Sequence, residues 1–130
     1  MPAPLVATYS AAALVAAHTA LLALLDAGAG AGLIRVRSAS DLLLGQVSLT
    51  DPAGTVNTGT GQLTLGIAGP DTNCAGDGTA YYAEICDSAG TVHLALLVDV
   101  GTVAVPGFIV MNTSTVVAGG TLTVLTAVIG

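Results

Sequence analysis

A chain of 130 residues fits one domain and is long enough to bury a core without disulfide or metal staples. Hydrophobic residues make up 53% of it but aromatic ones only 3%, so the core must be assembled from Ala, Val, Leu and Ile. There is no lysine, and Arg35 and Arg37 are the only permanent cations against eight carboxylates; the net charge of -6 and pI of about 4.1 disfavour nucleic-acid phosphates and anionic membrane surfaces as partners.

Residues 1–9 carry Pro2 and Pro4 and read as an extended arm that gains order only by docking. Residues 10–28 are a predicted helix. Ser10 is a candidate N-cap, the run AAALVAAHTALLALLDA is rich in strong helix formers, and Leu14, His18, Leu21, Leu22 and Leu25 share one stripe. Gly28 ends it. The competing reading is a signal peptide or membrane span, because the apolar run leads into the small residues of Ala27 to Gly32. No Lys or Arg precedes the run, His18 and Thr19 interrupt it, and an unbroken span of about 20 apolar residues is missing, so a packed helix is expected instead. Gly28-Ala29-Gly30-Ala31-Gly32 follows a helix, whereas a dinucleotide-binding turn follows a strand and opens a helix; it reads as a connector.

From residue 33 the apolar period changes to two. In Leu33 to Arg37, Ile34 and Val36 oppose Arg35 and Arg37; in Leu42 to Thr50, Leu43, Val47 and Leu49 point inward. Asp51-Pro52-Ala53-Gly54 is expected to end that strand as a turn. Leu63, Leu65 and Ile67 make a third strand, stopped at Gly69-Pro70. Residues 77–98 then form the most sharply specified unit, a β-hairpin. Tyr81, Ala83 and Ile85 alternate with Tyr82, Glu84 and Cys86, and Val92, Leu94, Leu96 and Val98 alternate with His93, Ala95, Leu97 and Asp99. The joining Asp87-Ser88-Ala89-Gly90 suits a type I turn closed by a left-handed glycine. Short strands at Phe108 to Met111 and Thr121 to Ile129 complete the chain. One helix followed by six to seven short strands predicts a mainly β fold: a single domain 1–130 with a β-sandwich, jelly-roll or immunoglobulin-like, over 33–130.

Few residue sets carry chemistry. Asp71 to Gly78 resembles a calcium loop at its start, but Ala75 and Tyr82 stand where oxygen ligands are required. Cys74 precedes and Cys86 ends the strand Thr79 to Cys86, which when extended puts Cys86 about 20 Å from its start, so the two are expected to be unbridged, and with two distant histidines they lack zinc-like spacing. His18 on the helix stripe reads as a packed imidazole and His93 as a surface one. No G-x-S-x-G elbow and no paired carboxylates occur, so no enzyme, cofactor or metal is expected. Asn112-Thr113-Ser114 fits a glycosylation acceptor but reads as a polar turn.

The stretches LLDAGAGAG, GLIRVR, LLLGQVSLTDPAG, DGTAYYAEICDSAGTVHLALLVDVG and VAGGTLTV together resemble a group of small capsid cement or decoration proteins of tailed bacteriophages. The most specific parts are the D-G-T-A and D-S-A-G-T-V hairpin segments and the L-L-G to D-P-A stretch; Leu96 and Leu97 depart from the more polar hairpin end expected there. The resemblance implies a virion protein made in the host cytoplasm, bound on the outer capsid surface, without catalytic residues. Its implied partners are the major capsid protein and copies of itself, a trimer in preference to a dimer, with Pro2, Pro4, Leu5 and Val6 as the candidate capsid contacts. The alternative is a head-tail or tail-associated adhesin module with carbohydrate-binding loops. That reading needs aromatic platforms, and only Tyr9, Tyr81, Tyr82 and Phe108 are available.

Overall fold

The Ser10 hydroxyl accepts the Ala13 backbone N–H at 3.1 Å and so caps α1, Ala11–Asp26, in a computed structural model that describes residues 9–130. The arm contacts expected at Pro2, Pro4, Leu5 and Val6 lie outside the described residues. His18 and Leu25 of the predicted stripe are buried, with Leu21 and Leu22 packed against the same core. No described helix is long and apolar enough to cross a membrane.

Nine strands follow: β1 (Leu33–Arg37), β2 (Leu43–Val56), β3 (Leu63–Ile67), β4 (Gly78–Thr79), β5 (Tyr82–Cys86), β6 (Val92–Val100), β7 (Phe108–Met111), β8 (Thr115–Val116) and β9 (Val124–Ile129). The fold is mainly β with one helix, as expected. The sandwich is not what forms: seven strands close into one barrel in the order β1-β2-β3-β9-β7-β6-β5, and β4 and β8 make a separate ladder. Turn spacing locates strands but says nothing about whether the first and last of a sheet meet. Here β1 pairs antiparallel with both β2 and β5 and closes the ring. Closure leaves no open edge in the main sheet.

Inward side chains agree around the ring. Ile34 lies between Val47 and Ile85, Ile85 opposite Leu94, and Val36 between Gly45 and Ala83. Ile109 sits beside Val98 and Ala127, and Leu63 opposite Ile129. One core cluster joins these to Leu25 and Leu122.

Three details differ from the spacing. β2 does not turn at Asp51-Pro52-Ala53-Gly54 but runs through it as a bulge against β3, where Pro52 can sit without withholding a ladder donor. Leu44, the extra residue of a second bulge between Val36 and Arg37, takes the buried place expected of Leu43. In the hairpin, Cys86 is fully buried despite its outward phase, and Tyr81 is 55% exposed because it precedes the strand it was assigned to. The turn itself is as expected: Gly90 donates to the Asp87 carbonyl at 3.0 Å with φ +88, a backbone conformation that favours glycine.

Both rims of the barrel are covered. Across one, α1 lies against β2 and β6, strands on opposite sides of the ring. It is fastened near its middle by His18 Nδ1 to the Gly61 carbonyl, 2.6 Å, and at its C-terminal end by Asp26 Oδ1, which accepts the Ala53 N–H at 2.9 Å. Gly61, at φ +78, lets the β2–β3 turn come so close that an added Cβ would strike the Leu14 Cβ. The other rim is covered by the β4–β8 ladder and the loops around it, which bring Cys74, Ala80, Val116 and Leu122 into the core.

Leu96 is 9% exposed whereas Leu94 is only half-buried. Leu96→Ala should therefore cost about 2 to 5 kcal/mol, with Leu94→Ala below it. Urea unfolding of the two variants checks this; equal losses would mean that Leu94 is packed as deeply as Leu96.

Candidate interaction surface

The residues that could carry chemistry are each occupied by the fold. The Asp71 carboxylate accepts the Gln46 and Asn73 N–H groups, both at 2.9 Å, and Asp77 Oδ1 accepts the Ala118 N–H at 2.6 Å, so the calcium-like loop spends its oxygens on pinning the rim loops. No group of three or more His, Cys, Asp or Glu side chains gathers as a metal site among the described residues. Cys74 and Cys86 are both buried free thiols. Burial pushes both up from the ordinary thiol range, with the Asp71 charge adding to the effect at Cys74, the opposite of what an activated nucleophile needs.

His93 differs from its expected place on an open surface. Its side chain is largely buried and its Nε2 lies 3.1 Å from Asp87 Oδ2, across the turn of the hairpin. This is the nearest approach to an oriented base in the chain, yet no hydroxyl or thiol hydrogen-bonds to the imidazole among the described residues. Asp87 does local work: its Oδ1 accepts the Ala89 and Thr91 N–H groups, both at 3.0 Å. Its carboxyl is held below its ordinary range by the hydrogen bond from His93 first and by the turn N–H groups second.

Both arginines are also engaged. Arg37 pairs through Nε with Glu84 and donates from Nη1 to the Asp41 carbonyl at 3.1 Å; the Glu84 hydrogen bond raises its pKa. The Tyr82 hydroxyl donates to Asp41 Oδ1 at 2.8 Å, which shifts the phenol upward. Arg35 Nε donates to Gln46 Oε1 at 3.1 Å, and its guanidinium lies over Gly90.

With the interior filled and no cavity opening among the described residues, the features left over are on the surface. Leu97, Val100 and Val103 are 47%, 51% and 74% exposed. They lie along the last part of β6 and the crossover 101–107, and Leu97 sits beside Phe108 in the parallel register of β6 and β7. Leu42, Tyr81 and Val117 are exposed near the rim that carries the β4–β8 ladder; Tyr9, Leu24 and Val92 lie toward the helix-covered rim. Asn112-Thr113-Ser114 is a turn in which Thr113 Oγ1 accepts the Thr115 N–H at 3.2 Å. Of the surface set, only Leu97 and the tyrosines stood out in the sequence. The signal for the rest was the glycine-bounded GTVAVPG, a loop whose residues are small or apolar.

No family model, no curated protein and no solved structure matches this chain.

The folded pKa of Asp87 lies below its ordinary value of 3.8, so its stabilising contribution is complete above that value and is lost as the pH falls through the lower, folded one. Asp87→Asn keeps an oxygen for the turn N–H groups but removes the charge facing His93. Acid titration of stability should therefore be flatter for this variant than for the parent below about pH 4. Superimposable profiles would mean that the pair contributes nothing.

Proposed function

We propose that the protein is a virion structural protein of a tailed bacteriophage, a capsid cement or decoration protein that binds the outer face of the major capsid lattice and stabilises it. The observation that carries this reading is the set of exposed apolar side chains at the end of β6 and on the crossover after it, Leu97, Val100 and Val103, on a barrel whose two arginines both hydrogen-bond within the chain. Exposed apolar groups close together on a surface mark a contact with another macromolecule. The resemblance of the hairpin segments and of the L-L-G to D-P-A stretch to phage cement proteins supplies the kind of partner. Its mode of action is attachment without turnover. Many copies, each held by a modest interface, would add up over a symmetric shell, and a trimer standing on a local threefold axis repeats one contact most economically. The arm residues Pro2, Pro4, Leu5 and Val6 are proposed to reach a neighbouring subunit.

The test compares particles with and without this protein by electron microscopy and by DNA retention on heating. Density for the protein on the outer shell, and earlier release of DNA when it is missing, are expected. Leu97→Asp together with Val103→Asp should leave a folded protein that no longer decorates the shell. If particles lacking the protein package DNA and survive heat as well as complete ones, the cementing role falls. The tail-associated adhesin reading would then be tested by glycan binding at Tyr9 and Tyr81.

A further inference from the structure

We propose that the outer face of α1 is a self-association surface, on which α1 of a second copy of this chain packs antiparallel about a twofold axis at Ala20. The contact goes beyond the capsid reading and does not rest on it. α1 is 16 residues long, and its exposed residues are six alanines with Thr19 and Leu24. At the helical period they fall on the side opposite His18 and Leu25, which are buried against the barrel. No charged side chain stands among them. A helix lying on a protein surface carries its polar and charged residues on the solvent side, and one that is apolar on both sides is suited to being covered on both. The ends of α1 are also uncompensated. Its first turn holds no acidic residue and its last turn no basic one, while its only carboxylate, Asp26, sits at the negative end of the helix dipole.

These properties select a second copy as the occupant. With a twofold axis at Ala20, positions equally far before and after it meet: Ala20 meets itself, Ala17 meets Ala23, and Leu24, the one large side chain of the face and 50% exposed, meets Ala16. The face therefore fits itself, small against small at the centre and large against small on either side. A parallel pair would set Leu24 against Leu24 and hold the alanines apart. Antiparallel packing also lays the positive N-terminus of each α1 near the negative C-terminus and Asp26 of the other, which supplies the compensation that the helix lacks by itself. The net charge of -6 does not oppose this approach locally, because none of the eight carboxylates lies on the exposed face of α1. A helix face roughly 24 Å long and 10 Å wide is smaller than the roughly 800 Å² per partner of a standard interface. The contact is thus weak between free molecules, and copies held side by side on a common support strengthen it.

The experiment uses the folded full chain. Cys74 and Cys86 are buried, so a cysteine placed on the outer face of α1 is the only exposed thiol. Ala20→Cys should form a disulfide-linked dimer in oxidised glutathione, whereas Ala12→Cys should not, since its two copies would lie about 24 Å apart along the helix axes. A mixture of Ala16→Cys and Leu24→Cys should give the linked heterodimer in preference to either homodimer. Sedimentation equilibrium of the parent chain at about 0.1 to 1 mM should show reversible association. Ala20→Glu sets two carboxylates on the axis and should weaken that association by about tenfold, with an unchanged circular dichroism spectrum showing that the variant is folded. Equal linking through Ala12→Cys and Ala20→Cys, a parent chain that does not associate at these concentrations, or an Ala20→Glu variant that associates like the parent would each overturn the proposal. None of these readouts involves capsid shells, so the contact and the capsid reading stand or fall separately.

Discussion

A ring of seven strands cannot alternate direction all the way round, so at least one neighbouring pair must run parallel. In this barrel the odd pair is β6 and β7, while the six other pairings are antiparallel. That parity constraint shapes the rest of the molecule. Two parallel neighbours cannot be joined by a tight hairpin, and the chain must return before β7 begins. The return is short because Phe108 starts beside Leu97, so the crossover 101–107 has to climb back only about three residues, roughly 10 Å. A connection this short has no room for a helix to cover its outer side. Val103 therefore stays in solvent, and the chain leaves an exposed valine where the ring changes direction.

Closure also determines how the ends are finished. A barrel of this strand number can be filled by side chains, and here the filling is aliphatic; Ile34, Leu49, Leu63, Ile85 and Ile109 are fully or almost fully buried. Branched aliphatics fill the middle but leave two mouths where inward residues would meet water. The amphipathic stripe of α1 covers one, with Leu25 entering the core, and the β4–β8 ladder with Leu122 and Val116 covers the other. Carboxylates do much of the fastening. Asp26, Asp71 and Asp77 each accept a backbone N–H from a distant segment, a role that needs no cation and suits a chain almost without them. The acidic composition is thus partly structural.

What the sequence made legible was local. The Ser10 cap, the stripe on α1, the turn at Asp87 to Gly90 and the phases of Ile34, Val36, Ala83 and Ile85 depend on neighbours a few residues away, and these match the structure. What escaped depends on partners far along the chain. Leu44 is inward because of a bulge opposite β1, and β2 passes through Asp51-Pro52 because β3 and Asp26 hold it on. Cys86 is buried despite its outward phase, and His93 is withdrawn from solvent by Asp87. Ring closure and the parallel seam leave no mark in residue spacing at all. The surface was half legible: Leu97 stood out as too apolar for its place, but without the crossover beside it Val100 and Val103 looked like ordinary β residues.

A closed barrel with covered mouths separates two demands that often conflict. Apolar groups on an open sheet edge invite any strand of any chain to pair, because backbone donors and acceptors are the same everywhere. Apolar groups on the wall of a closed ring offer mainly side chains, since most of the backbone beneath them is already paired on both sides. Such a wall can be sticky towards one complementary surface without seeding aggregation. The few charges elsewhere do not blur that choice, because most of them are turned inward to hold loops. Selectivity in a protein so poor in charge therefore has to come from the shape of its apolar surface and from where its few unpaired charges lie, Arg35, Asp51 and Asp99 among them.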